Sequence, residues 1–530
     1  MAATPAAGRL LPRRLILGAI GTLPLLRAAP AQDRPVAHRL TLLHLNDFHA
    51  RHGPVDPRAM ACRPGAEGCF GSSPRLATAI REQRRAAEAD GRIVLLLDAG
   101  DQFQGSLFYT AHHGLAELAV QHAVGTDAMA VGNHEFDNGP ANLARYVDQA
   151  RFPVLAANID AGADPDLAGR LRPHVVLRRG ALRIGLVGLT TLETRTSSSP
   201  GPAIRFTDPV PALAAATAAA RAEGATLIVL LSHLGLPADL GLAGPPGGPA
   251  VIIGGHTHTL LSNDEPGASG PHPSIGEGPL IVQAGAYGRY LGRLDLDLAA
   301  DGAVLAYGGA CRHVGLDLPE DPEVAAIVAG FAAPLEALRH RPVTTLAQPL
   351  DTTACRVAPC RLGALAADTL RRAVHGPGPE ASQGPDAGPA PAATIGLMNA
   401  GGLRIGLPAG PLTLGQVLDA LPFGNTLATA TLSGADLIET ARHGLAMTGR
   451  GGYAQWSGLR WQALEIEVQA PDGRWAPIDP AARYLIATNN FVRSGGDGYT
   501  ALRDRAIAPY DSGPAVADLL ADALTGQTGL

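Results

Sequence analysis

Asp47 and His49 stand two residues apart in "HLNDFHARHG", where an apolar run stops, and four more runs in the first 300 residues stop on similar side chains. Asp98 and Asp101 follow "IVLLL", Asn133 and His134 follow "AMAVG", His233 follows "LIVLLS", and His256 and His258 follow "VIIGG". Taken alone, a His after a strand is an ordinary loop residue and a Gly-Asp is an ordinary turn. Five such endings of one chemical type are not independent accidents. Asp, His and Asn without thiolate suit divalent ions such as zinc, manganese or iron better than copper(I) or an iron–sulfur cluster. The donors outnumber the needs of one ion. A carboxylate shared by two ions about 3.5–4 Å apart is the arrangement that hydrolyses phosphate esters, because it binds phosphoryl oxygens and lowers the pKa of a bridging water.

Elements must bring these residues together. Apolar runs of four to seven residues ("LTLLHLN", "IVLLLDAGD", "AMAVGNHE", "FPVLAANI", "RIGLVGLT", "LIVLLSH", "VIIGGHTH", "LIVQAGA") alternate with helix-like Ala/Leu/Arg segments and Gly/Pro turns. Such runs predict strands in sheets covered on both faces, a layered α/β architecture. In these sheets ligands gather beyond the carboxyl ends of strands, and Gly100, Gly132, Gly254 and Gly255 loosen the turns there.

The chain is long enough for more than one domain, and 46% hydrophobic content supplies buried cores. A net charge of −6 gives no basic surface for nucleic acid. Residues 1–31 pair Arg13-Arg14 with a short apolar run and an Ala29-Pro30-Ala31 cleavage pattern, predicting an export signal of the Tat or Sec type. The run is too short to span a membrane, so a periplasmic or secreted protein without a stable membrane anchor is expected. Cys62 with Cys69 and Cys355 with Cys360 are spaced to close small disulfide loops in that compartment, leaving Cys311 as a free buried thiol. Neither pair has the spacing or second half of a zinc finger.

Together, "NDFHA", "DAGDQFQGS", "GNHEFDNG", "SHLG" and "GGHTH" resemble the calcineurin-like metallophosphoesterases. With "CRVAPCRLG", "MNAGGLR", "LPFGN" and "NNFVRSGGDGYT", the chain from about 40 to 510 is similar to the secreted 5′-nucleotidase/UDP-sugar hydrolase family, close to its ecto-5′-nucleotidase form. The resemblance implies a four-layer metallophosphoesterase β-sandwich flanked by helices, joined by a linker helix to a second α/β substrate-binding domain. The expected bounds are 38–317, 318–342 and 343–526, with a hinge at 339–345 and a flexible surface loop at 375–394.

Carried over by position, Asp47, His49 and His258 hold one divalent ion, Asn133, His233 and His256 the other, and Asp101 bridges. His134 stabilises the phosphate under attack, with Asp137 orienting its ring. "GGHTH" departs from the commoner "GGHSN" or "GGHSQ", placing His258 where relatives carry an amide. In the second domain, Phe423 and Phe491 clamp the base, Asp497 accepts from the ribose hydroxyls, and Arg356 and Arg404 hold the phosphate. Asn399 and the amides of Gly401 and Gly402 support the substrate, with Ala400 in place of a first glycine.

The resemblance therefore implies an exported 5′-nucleotidase, a phosphoric monoester hydrolase acting on nucleoside 5′-monophosphates through a metal-bridging hydroxide, with zinc or manganese and as monomer or homodimer. A UDP-sugar hydrolase or 2′,3′-cyclic-nucleotide phosphodiesterase would use the same clamp and metals. A sulfur-oxidation thiosulfohydrolase fits less well with His134, Phe423 and Phe491 present. A non-catalytic nucleotide-binding protein would not need the full ligand set.

Overall fold

The computed structural model describes residues 27–28, 34–55, 62, 68–242, 248–275, 278–374, 391–462, 465–511 and 513–526. Most of the expected export signal with its cleavage site, and residues 375–390 of the expected surface loop, lie outside the described residues. Val94–Leu97 and their neighbours alternate between two apolar environments, which explains the layering. Leu40, Leu42, Leu95 and Leu97 face an apolar seam shared with Ile184, Leu186, Val229 and Ile253. Leu43, Leu45 and Leu96 point the other way, onto Leu76, Ile80 and Val120 of covering helices. Two sheets thus pack face to face with helices outside. One has seven strands and includes His38–Leu45, Ile93–Asp98 and Ala128–Ala130; the other has six and includes Leu182–Thr190, Leu227–His233 and Val251–Gly254.

Within each sheet these strands run parallel, so their carboxyl ends fall on one edge. The sequence pattern differs from this fold in two respects. "AMAVGNHE" and "FPVLAANI" supply only the short strands Ala128–Ala130 and Val154–Leu155. The strand Tyr290–Leu298, which pairs antiparallel with Val304–His313, is interrupted by polar residues in sequence. Its carboxylates meet groups from distant segments: Asp295 accepts from Thr41 Oγ1 at 2.5 Å, and Asp297 lies 3.2 Å from Arg92.

A helix, Pro322–Arg339, follows and runs through Pro334; Asp321 caps it by accepting from the amides of Glu323 and Val324 at 3.1 Å, a cap worth about 1 kcal/mol. It lies on the helices Ser73–Ala89, Leu107–His112 and Leu115–Val124 and also meets Leu414–Ala420 of the second half. From Pro342 onward the chain forms its own five-stranded sheet and a separate apolar core around Leu362, Leu370, Leu414 and Leu520. Cys62–Cys69 and Cys355–Cys360 are bonded, and Cys311 is free and buried. No described helix is long and apolar enough to cross a membrane.

Candidate metal centre and substrate cleft

The five strand ends converge. Donor atoms of Asp47, His49 and His258 lie within 4.8 Å of one another, as do those of Asp101, His233 and His256. Asn133 Oδ1 is 3.2 Å from His233 Nε2 and 3.1 Å from His256 Nδ1, and Asp101 Oδ2 is 3.1 Å from His233 Nε2 and 3.9 Å from His49 Nε2. Asp101 therefore stands between the two groups. All but His256 and His258 are buried.

Local backbone makes this approach possible. Asp47, His49, Asp101, His256 and His258 all have left-handed backbone, with φ of 51°, 54°, 58°, 71° and 53°. That conformation costs a non-glycine residue on the order of 1 kcal/mol and persists only where surroundings impose it. For Asp47, His49 and Asp101 a ladder does so: the amides of Asp47, His49 and Ala50 donate to Gly100 O, Asp101 O and Gln102 O at 2.9–3.0 Å. Gly132 is needed for a different reason. A Cβ there would sit 2.2 Å from Asp101 Oδ1 and 2.6 Å from Asp101 N. Gly132→Ala is expected to cost roughly 1–3 kcal/mol by overpacking and to displace Asp101, read as a lower melting temperature and lost metal content.

Electrostatically, the cluster is short of positive charge. Burial opposes charge on His233, but Asp101 and Asp47 overcome it and raise that imidazole to about 10. Burial dominates at His49 and lowers it to about 3 despite Asp101. At His134 burial again opposes charge, yet Asp137 and Asp101 raise it to about 9. His134 Nδ1 lies 2.7 Å from Asp137 Oδ2, and Asp137 Oδ1 accepts from Ser198 Oγ at 2.7 Å. His134 Nε2 and Asn133 Nδ2 are buried with no hydrogen-bond partner among the described residues. The inward nitrogens of His49 and His258 lie 3.0 Å apart, with Asp47 Oδ1 3.4 Å from the latter. Lone pairs packed this closely, in a set of oxygen and imidazole donors without thiolate, fit divalent cations.

Several supporting residues carried no ligand signal in the sequence. Glu135 accepts the amides of Asp101, Gln102 and Gly132 at 3.0, 2.9 and 2.7 Å, tying together two donor loops. Asn46 donates to Asp47 Oδ2 at 2.6 Å. Ser198 completes the chain behind His134. Glu135 and Asn46 neighbour predicted site residues in the chain, which was the available clue; Ser198 had none.

The predicted substrate residues gather at one end of the five-stranded sheet. Leu427 pairs with Asn489, which places the turn bearing Phe423 beside the short helix Asn490–Arg493 bearing Phe491. Both rings are half-buried, and the Arg404 guanidinium lies 5.5 Å from the Phe423 ring centroid. Asn399 ends the Thr394–Asn399 strand and donates to Asp497 Oδ2 at 2.8 Å, while Arg356 and Arg404 are exposed. The Gly401 amide donates to Gly451 O at 2.6 Å. This end of the sheet faces the metal-side loops: Arg51 Nη2 donates to Gly424 O at 3.1 Å and Gln104 Nε2 to Gly513 O at 2.7 Å.

Comparison with known proteins agrees with this geometry. Residues 40–260 match the calcineurin-like phosphoesterase family and 342–504 the 5′-nucleotidase C-terminal domain. An apyrase of Tabanus yao is 30% identical, over 88% of this chain and 87% of its own length. A 5′-nucleotidase of Diplobatis ommata is 32% identical, over 92% of this chain and 86% of its own. Among solved structures, a 5′-nucleotidase precursor from Thermus thermophilus is 34% identical with a TM-score of 0.59, covering 92% of this chain and 96% of that one. With both domains matched and relatives aligned along most of their length, the chain belongs to the 5′-nucleotidase family of calcineurin-like, divalent-metal-dependent phosphoesterases.

Proposed function

We propose that this protein is an exported 5′-nucleotidase that hydrolyses nucleoside 5′-monophosphates to nucleoside and phosphate, using zinc or manganese, outside the cytoplasm. The observation that carries the reading is the convergence of seven donor side chains beside the His134–Asp137 pair, opposite a cleft with two half-buried phenylalanines. Asp47, His49 and His258 would hold one ion and Asn133, His233 and His256 the other, with Asp101 shared. When bound, the pair supplies Lewis acidity and an activated water.

The chain's own residues do the rest. Asp137 accepts from His134 Nδ1, so the ring presents Nε2 to a phosphoryl oxygen as charge develops there. Arg356 and Arg404 hold the phosphate by charge-assisted bonds. Phe423 and Phe491 stack on the base. Asp497 accepts from the ribose hydroxyls. With base and phosphate held by one domain and the ions by the other, turnover requires the domains to close, with 339–345 as hinge.

Phosphate release from AMP, measured with and without a chelator, tests the proposal; no release, or release that a chelator leaves untouched, would overturn it. Phe491→Ala is expected to raise the KM for AMP by the loss of one stacking partner, about 1–3 kcal/mol, with a smaller change in kcat. Equal loss of kcat with KM unchanged would remove Phe491 from the clamp.

A further inference from the structure

Each of the four imidazoles around the donor cluster turns one ring nitrogen inward and anchors the other outside, and the anchors are of two kinds. His49 Nδ1 donates to Phe103 O at 3.1 Å and His233 Nδ1 to Ala99 O at 2.7 Å. These are backbone carbonyls that no side-chain substitution removes. His256 and His258, on the solvent side, rest instead on side chains. His256 Nε2 lies 3.1 Å from Glu193 Oε2, and His258 Nδ1 lies 3.3 Å from the Tyr287 hydroxyl. Their inward atoms consequently differ: Nδ1 for His256, 3.1 Å from Asn133 Oδ1, and Nε2 for His258, 3.0 Å from His49 Nε2.

We infer that Glu193 and Tyr287 are positioning residues that set the affinities of the two metal positions separately, Glu193 through His256 and Tyr287 through His258. A ligating imidazole needs its outer N–H held so that the inner nitrogen keeps its lone pair and its aim; removing such a partner costs roughly 10–100-fold in metal affinity.

The two anchors are built differently. Tyr287 is fixed by its surroundings. Its backbone is left-handed, with φ 63°, and its amide donates to Asp47 O at 2.8 Å. Its ring lies edge-on to His258 at 5.2 Å, with the Arg51 and Arg289 guanidiniums 5.8 and 5.6 Å from its centroid. Because Arg51 also donates to Gly424 O, beside Phe423, this anchor is continuous with the substrate cleft. Glu193 is at the rim, its side chain 65% exposed, on the loop after Leu182–Thr190. It offers a full negative charge where Tyr287 offers a neutral oxygen. The larger loss of affinity therefore follows removal of the Glu193 charge.

The inference rests on the metal reading above. Its test is calorimetric titration of metal-free wild type, Glu193→Gln, Tyr287→Phe and the double variant with Mn2+ and, separately, Zn2+. Wild type should take up two ions. Glu193→Gln should weaken one uptake about 10-fold or more, Tyr287→Phe the other, and the double variant both, with melting of the metal-free proteins unchanged. Glu193→Asp should recover part of the loss. Variants that leave both uptakes at wild-type affinity, or that weaken the same one, would overturn this inference alone. A wild type that takes up no ion would overturn the proposed function and this inference with it.

Discussion

Asp101→Ala protein should retain neither ion and should release phosphate from AMP no faster than chelator-treated wild type. Asp101 Oδ2 lies 3.1 Å from His233 Nε2 and 3.9 Å from His49 Nε2, within reach of both groups. Its Oδ1 also accepts the His134 amide at 2.9 Å, so the substitution loosens the residue beside the reaction as well. Elemental analysis of the purified variant, paired with a phosphate assay, checks both parts. A variant that keeps two ions and normal turnover would sink the shared-carboxylate assignment.

The same residue controls the pH response of the metal-free protein. Burial by itself would lower His233, but Asp101 leads the groups that raise it to about 10 in the folded state, against an ordinary value of 6.5. A raised imidazole contributes stability fully below the unfolded value and loses it as pH climbs through the folded one. Metal-free wild type should therefore lose melting temperature between about pH 6.5 and 10 from this group, and Asp101→Ala should lose less over that window. Equal slopes would mean that Asp101 is not what charges His233.

His134→Ala is expected to lower kcat by about 10²–10⁴-fold, the range for a positioned proton-handling or charge-stabilising side chain, with two ions still bound. The separation of these effects follows from geometry. His134 Nε2 is buried and has no partner among the described residues, whereas Nδ1 is held by Asp137 at 2.7 Å. The ring is thus aimed but its outer atom unused, as expected of a group waiting for substrate and unlike one that holds the fold together. KM for AMP should change much less than kcat. Loss of metal along with activity would instead place His134 among the structural supports.

What was legible in the sequence follows from how α/β sheets advertise their edges. Asp47, Asp101, Asn133, His233, His256 and His258 each end an apolar run, and a polar side chain at that place has little to do for packing. Runs such as "LIVLLSH" are buried on both faces, so their pattern survives without knowledge of neighbours. The alternating segment Tyr290–Leu298 carries no such signal, because beyond the Arg293–Asp295 pair its polar residues meet Gln83, Thr41 and Arg92, all far along the chain.

Donor identity, then, was written locally, and the tertiary structure alone decided how the donors face one another. Left-handed backbone at Asp47, His49 and Asp101 depends on a ladder between residues 47–50 and 100–102, and the hold of Glu135 on two loops depends on where those loops meet. The same is true of the outer partners Glu193 and Tyr287, which lie 63 and 29 positions from the imidazoles they touch. It is true also of Gly401, whose amide donates to Gly451 O. Residue type specifies which bonds a side chain can make; which of them are already taken is set by contacts between segments that the linear order does not encode.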